Sequence, residues 1–211
     1  MWRIKSLKAL RDKPGKFSVL FENEAEIVVG SAQVADFELC SGLELSEEGY
    51  AELTDALKLS SSKARAMRIL GNRNYSALEM ERRLVGKGET QETACKTVEW
   101  LENIGAINDE EFAEMIVRQY CAKGYGISRI RDELYRRGIP REMWDEALSG
   151  AESMDDIAYD FIVSKLRGSR DKVDLRRATD ALCRRGFSYE EARTTVSRYL
   201  ENLEEGEGPE D

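Results

Sequence analysis

Apolar residues recur with the spacing of an α-helix at three places in the chain. Ile127, Ile130 and Leu134 lie on one helical face, because positions i, i+3 and i+7 are neighbours on a helix. Gly138 follows four residues later, as is typical of a helix end. The same arrangement occurs in Ala77, Met80, Leu84 and Gly88, and again in Leu175, Ala178, Leu182 and Gly186. The pattern predicts three similar amphipathic helices, each ended by a glycine.

The spacing between these glycines indicates an internal repeat. They are 50 and 48 residues apart, and an apolar residue stands ten positions beyond each of them, at Val98, Leu148 and Val196. We therefore predict a mostly α protein, an elongated array of three tandem three-helix repeats. The predicted helices are 62–71, 76–87 and 91–104, then 109–123, 127–137 and 140–149, then 154–167, 173–185 and 189–203.

A period of two residues appears only near the start of the chain. Apolar residues alternate in three runs within residues 1–31, and turn residues separate the runs. This predicts a small antiparallel sheet of three strands, covered by a short helix at 31–40 and a longer one at 46–59. Three serines at 60–62 suggest a joint. The predicted domains are a β-sheet and helix extension (1–59), three repeats (60–108, 109–152 and 153–203) and a disordered acidic tail (204–211).

The charge of the chain is unevenly distributed. The net charge is −9, but residues 201–211 hold six acidic and no basic residues, so residues 1–200 sum to −3. Basic surfaces can therefore exist on a nearly neutral body. The four cysteines are scattered and histidine is absent, which indicates neither a disulfide framework nor a usual zinc site. No apolar run is long enough to span a bilayer, so we expect a cytoplasmic protein.

The chemistry of an enzyme is not apparent in the sequence. It has no Gly-x-x-x-x-Gly-Lys-Ser/Thr loop and no clustered metal ligands, and Gly86-Lys87-Gly88 resembles a helix end rather than a phosphate loop. We expect no catalytic activity, no cofactor and no metal. Because no long apolar heptad pattern is left over, we also expect a monomer that makes no membrane contact.

Basic residues are the candidates for partner or DNA binding, and each has a structural alternative. Lys87, Arg137 and Arg185 precede the repeat glycines, where a cation stabilises the helix dipole, and we favour that role. Arg129 and Arg136 are seven residues apart, and Arg177 and Arg184 repeat the spacing, which suggests basic stripes. Nearby acids leave solvated, ion-paired faces as an open alternative. Tyr125 fits a helix-junction cover better than an interface. The remaining candidates are Arg82, Arg131 and Arg176.

The residues of the second repeat resemble the RecX family of bacterial recombination regulators. The resemblance covers residues 60 to 200, and it is carried by Gly105-x-Ile107-x-Asp109-x-x-Phe112-Ala113 and by Gly124-x-Gly126-x-x-Arg129-Ile130-x-x-Glu133-Leu134-x-x-Arg137-Gly138-Ile139. It implies a non-enzymatic protein that binds the RecA recombinase filament and restrains its ATPase, recombination and DNA-repair activities, including the SOS response. The alternative is a direct DNA-binding protein with helix-turn-helix-like repeats. The near-neutral charge of residues 1–200 argues against this alternative. Tight, salt-sensitive binding to naked DNA would favour it, whereas weak binding to single- or double-stranded DNA with strong binding to RecA-coated DNA would favour the regulator.

Overall fold

The computed structural model describes residues 1–150 and 153–205. In these ranges the chain is mostly helical, with one small antiparallel sheet. The strands are β1 (Trp2–Ala9), β2 (Lys16–Phe21), β3 (Glu26–Gly30) and β4 (Glu44–Leu45). The α-helices are α1 (Ser31–Asp36), α2 (Glu47–Leu70), α3 (Ala77–Val85), α4 (Gln91–Asn103), α5 (Asp109–Cys121), α6 (Ile127–Arg137), α7 (Trp144–Ser149), α8 (Met154–Leu166), α9 (Lys172–Arg184) and α10 (Tyr189–Glu205).

These elements form two compact units. The first unit comprises Met1–Arg73 and Glu81–Leu101. The second comprises Asn74–Met80 and the described residues from Glu102 onwards. The first turn of α3 thus belongs to the second unit, where it meets α5 and α6. The predicted boundaries of the three repeats remain predictions.

The sheet of the first unit has the strand order β3-β2-β1-β4. Its inner face packs Ile4, Val19, Phe21 and Val29 against Leu53 of α2. The prediction of three strands was therefore one strand short. In β4, Leu45 pairs with Trp2, and Glu44 pairs with Arg3. Two residues are too few to show an alternating pattern in the sequence.

The predicted joint at residues 60–62 is also absent, because α2 runs unbroken from Glu47 to Leu70. Serine disfavours a helix interior only weakly, and no glycine or proline interrupts this segment after Gly49. Ser62 is fully buried, and its hydroxyl hydrogen-bonds to that of Thr97 in α4 at 2.9 Å. The serine run therefore supplies a small polar contact between two helices instead of a joint.

The helices of the second unit agree closely with the predicted ranges. The main departure is 140–149, where a 3-10 turn at Arg141–Met143 precedes α7. Ser188 and Glu191 cap α10 reciprocally, since each backbone N–H donates to the other's side chain. Helix α10 continues to Glu205, past the predicted start of a disordered tail. The rest of that prediction, residues 206–211, lies outside the described residues.

The core of the second unit is built from the predicted apolar stripes. Ile130 and Leu134 of α6, and Ala178 and Leu182 of α9, are fully buried. They pack in one cluster with residues of α5, α8 and α10. Trp144 joins the edge of this cluster and donates its indole N–H to the Ile139 carbonyl at 3.0 Å, as expected for a packing residue. Burying one face of α6 and α9 leaves their opposite faces to solvent.

Candidate partner-binding surface

Helix α6 carries a buried carboxylate that gathers two of the candidate arginines. The Glu133 side chain is only 8% exposed. Arg136 donates to both of its oxygens, at 2.9 and 2.6 Å, and Arg137 donates to one at 2.7 Å. The Tyr120 hydroxyl also hydrogen-bonds to Glu133. Arg136 is therefore held by its own helix, as the ion-paired alternative expects, and Arg137, for which a helix-dipole role was expected, is held by the same carboxylate.

The electrostatics of Glu133 follow from these contacts. Burial alone raises the pKa of this carboxyl group, but the hydrogen bonds from Arg136, Arg137 and Tyr120 outweigh it, so its pKa lies below the ordinary value. The same contacts raise the pKa of the Arg136 guanidinium. The sequence offered a signal for this cluster, because a glutamate three and four residues before arginines lies on the same helical face.

The start of α3 docks on the end of α6. The Ser76 hydroxyl donates to the Arg137 carbonyl, and the Ala77 N–H donates to Asp109 Oδ1 at 2.9 Å. A Cβ on Gly138 would lie 2.7 Å from Leu78 Cδ2. Asp109 thus caps a helix that is distant in sequence. Burial raises the pKa of its carboxyl, the Ala77 hydrogen bond partly offsets this, and the charge of Glu79 raises it further.

The start of α6 docks on the end of α9 in the same way. The Gly126 N–H donates to the Arg185 carbonyl at 2.9 Å, and the Ser128 N–H donates to the Gly186 carbonyl at 3.2 Å. Gly186 has a φ of +94°, and a Cβ there would lie 2.5 Å from the Arg129 backbone nitrogen. Two successive junctions therefore use equivalent residues, each joining the first turn of one middle helix to the last turn of the next.

Arg185 closes this second junction. Its guanidinium donates to the carbonyls of Lys123 and Gly124, at 2.6 and 3.2 Å. It also lies over the ring of Phe161, 4.4 Å from the centroid, and over that of Tyr125 at 5.3 Å. The cation thus satisfies carbonyls that follow α5 rather than those of its own helix. Tyr125 lies within this junction, as expected for a junction cover.

The remaining arginines of α6 and α9 face solvent. Among residues 1–150 and 153–205, the exposed side chains of Arg129, Arg176 and Arg184 make no hydrogen bond or ion pair. Arg177 makes only a solvent-exposed contact of 3.7 Å with Asp174. We call Arg129, Arg176, Arg177 and Arg184 the basic surface. Arg129 and Arg177 occupy equivalent repeat positions, as do Arg136 and Arg184, so the same positions are cationic in two repeats.

The other candidate cations lie outside the basic surface. Arg131 makes a long 3.8 Å contact with the exposed Asp145. Arg82 and Lys87 are exposed and belong to the first unit. The Lys87 carbonyl accepts a hydrogen bond of 2.8 Å from Arg65, which ties down the end of α3. Two exposed apolar residues are also present on α6 and α9, namely Tyr135 at 69% and Val173 at 55%. Val173 was not a candidate, because a lone exposed valine has no signal in the sequence.

Neither a metal-binding cluster nor a helix able to span a membrane occurs in the described part of the chain. No group of three Cys, Asp or Glu side chains there could hold a metal ion. In the same residues, no helix combines the length and the apolar content that crossing a membrane requires.

Comparison with known proteins identifies the family. Residues 108–148, which contain α5, α6 and all but the last residue of α7, match the family model described as the second three-helix domain of RecX. The regulatory protein RecX of Chromohalobacter salexigens is 31% identical over 139 residues, a match that covers 65% of this chain and 91% of the relative. The chain belongs to the RecX family. The regulatory protein RecX of Xanthomonas citri is 33% identical over 141 residues, covering 65% of this chain and 87% of the relative.

Solved RecX structures share the fold. A crystal structure of a regulatory protein RecX matches with a TM-score of 0.77 at 18% identity, covering 93% of this chain and all of the other. The structure of RecX from Lactobacillus salivarius matches with a TM-score of 0.61 at 19% identity, covering 68% of this chain and 97% of the other. The mostly helical fold with a small antiparallel sheet is therefore confirmed as a RecX fold, and a RecX regulatory role is supported.

Proposed function

We propose that this protein binds the filament of the RecA recombinase on single-stranded DNA and restrains its ATP hydrolysis and strand exchange. The identity of the partner rests on family membership and on the resemblance of the second repeat. In this proposal the chain acts as a cytoplasmic monomer through binding alone, with no catalysis and no cofactor.

The observation that carries the proposal is the basic surface. Its arginines are exposed and mostly free of ion pairs, and one pair of them, Arg129 and Arg177, occupies equivalent positions of two repeats. A free guanidinium is available to carboxylates or phosphates of a partner, whereas an arginine held by Glu133 is not. A filament presents identical sites at regular intervals. Matching contacts from two repeats would therefore add their free energies on the polymer and would favour it over a single protomer.

The role is tested by the RecA ATPase rate on single-stranded DNA. We expect wild type to inhibit hydrolysis, and Arg129→Ala/Arg176→Ala/Arg184→Ala to need a concentration roughly 10- to 100-fold higher for half inhibition. This follows from three exposed charge contacts of about 0.5–1 kcal/mol each. Lys58→Ala/Arg68→Ala/Lys96→Ala is the matched control, since it removes three exposed cations from α2 and α4.

The outcomes separate the two parts of the proposal. Inhibition that the control variant keeps and the arginine variant loses supports both the regulatory role and the basic surface. Equal inhibition by both variants would support the regulatory role but would contradict the assignment of the basic surface as the binding site. If wild type binds naked DNA tightly and leaves the ATPase rate unchanged, the direct DNA-binding alternative replaces the proposal.

A further inference from the structure

The N-terminal sheet has one covered and one open face. Residues paired across antiparallel strands point to the same side, so the pairs Ile4–Phe21 and Phe17–Val29 belong to the covered face. The alternating residues belong to the open face. One row of that face runs Lys8, Ser18 and Val28 across β1, β2 and β3. Lys16, two residues before Ser18, lies on the same side.

Positive charge is concentrated at one end of this open face. Residues 8–16 hold four cations against one acid, Asp12, within a chain whose net charge is −9. We call Lys8, Arg11, Lys13 and Lys16 the hairpin cations, because they lie on β1, β2 and the loop that joins them. All four are exposed, and within residues 1–150 and 153–205 none of their side chains makes an ion pair.

The acidic residues of the sheet lie at its other end. Arg3 is flanked there by Glu22 and Glu44, at 3.7 and 3.6 Å. Glu26 accepts a hydrogen bond from the Ser18 hydroxyl. The Glu26 carboxylate thereby reaches the row of Lys8, Ser18 and Val28, but residues 8–16 still hold three more cations than acids, so this end of the sheet is the cationic one. Such a local field attracts an extended polyanion even to a protein that is acidic overall.

The open face also offers an apolar contact beside the lysines. Val28 is 47% exposed, in the same row as Lys8. Lys8 and Lys16 lie on adjacent strands about 4.8 Å apart and are offset by two residues, or roughly 7 Å along the strand. A single nucleic-acid strand matches this surface, since its phosphates meet lysines and its bases meet apolar side chains. An anionic membrane fits less well, because the loop of residues 11–15 has no large apolar side chain to insert.

We propose that the hairpin cations and the open face of the N-terminal sheet form a binding surface for the phosphate backbone of single-stranded nucleic acid. This surface is distinct from the basic surface of α6 and α9, and the proposal does not rest on the function proposed above. The lysines contact phosphates without regard to base sequence, while Val28 packs against a base. Binding is therefore sequence-tolerant and weakens as salt rises.

Fluorescence anisotropy with a labelled 20-nucleotide oligothymidylate tests the proposal in the full chain. We expect Lys8→Gln/Lys13→Gln/Lys16→Gln to weaken binding roughly tenfold or more at low salt. The slope of the logarithm of the binding constant against that of salt should fall by about 2, at about 0.7 per phosphate contact of a single strand. Lys8→Arg/Lys13→Arg/Lys16→Arg should bind like wild type, and Lys58→Gln/Arg68→Gln/Lys96→Gln controls for net charge.

Several results would contradict the proposed nucleic-acid-binding surface. They are no binding of the oligonucleotide by wild type, equal losses in the lysine and control variants, or an unchanged salt slope. Binding of wild type to phosphatidylserine vesicles but not to the oligonucleotide would assign the cations to a membrane instead. Equal thermal midpoints of all variants establish that a loss of binding is not a loss of folding, and Arg129→Ala/Arg176→Ala/Arg184→Ala should leave this slope unchanged.

Discussion

Gly186→Ala is expected to lower the free energy of unfolding by about 2–5 kcal/mol. A left-handed backbone costs an alanine about 1–2 kcal/mol at the observed φ of +94°. The added Cβ would also lie 2.5 Å from the Arg129 backbone nitrogen, so α6 must move away from the end of α9. That movement weakens the hydrogen bonds from Gly126 and Ser128, which are worth about 0.5–1.5 kcal/mol each. Urea unfolding followed by circular dichroism measures the loss.

Two other glycines serve as controls that separate the cost of backbone strain from the cost of the steric clash. Gly88 occupies the equivalent repeat position with the same φ of +94°, and Gly168 lies in the second unit with a φ of +89°. A Cβ at either position would meet nothing within 4 Å. Gly88→Ala and Gly168→Ala should therefore cost only the strain of about 1–2 kcal/mol. If Gly186→Ala is no more damaging than these two, the docking of α6 on α9 is not a tight contact.

Glu133→Ala is expected to lower the free energy of unfolding by about 2–3 kcal/mol. The substitution leaves Arg137, whose side chain is 25% exposed, with the 3.4 Å contact to Glu79 and the Phe112 ring at 6.0 Å, and it removes the carboxylate that accepts two hydrogen bonds from Arg136. Asp132→Ala is the matched control. It removes the neighbouring exposed acid and should change stability by less than about 0.5 kcal/mol. Equal effects of the two substitutions would contradict the role assigned to Glu133.

The contribution of Glu133 should also depend on pH. Its pKa in the folded protein is below the ordinary value of 4.5, so the folded state favours the charged carboxylate. The stabilisation is therefore complete above pH 4.5 and is lost as the pH falls through the lower folded pKa. The stability difference between wild type and Glu133→Gln should shrink as acid is added below pH 4.5. A difference that grows on acidification would contradict the ion-pair account.

The helices were predictable because each repeat combines a period near 3.6 residues with a glycine stop. The capping box of Ser188 and Glu191 is a local signal, since the two residues are three positions apart in the sequence. Strand β4 and the unbroken α2 were not predicted. A two-residue strand such as β4 forms only because it pairs with β1. Whether a helix continues through a run of serines depends on the residues that pack against that run. In α2, Ser62 meets Thr97.

The repeat junctions could not be read from the sequence, because they use backbone groups. The carbonyls of Arg137 and Arg185 accept hydrogen bonds from the start of the preceding repeat's middle helix, and no side-chain pattern reports a carbonyl. Gly88 and Gly186 look alike in the sequence, yet only Gly186 has a backbone against it. The sequence also predicted one basic stripe from Arg129 and Arg136, but the two side chains differ in the structure. Glu133 binds Arg136, whereas Arg129 makes no ion pair with any residue that the structure describes.

In the proposed function the chain prefers a recombinase filament to naked DNA. The most direct measurement compares its affinity for one labelled single-stranded oligonucleotide, naked and coated with RecA in the presence of a non-hydrolysed ATP analogue. At physiological salt the account predicts at least roughly tenfold tighter binding to the coated strand, because contacts from two repeats add on a repeating partner. Binding to the naked strand that is as tight, or tighter, would contradict it.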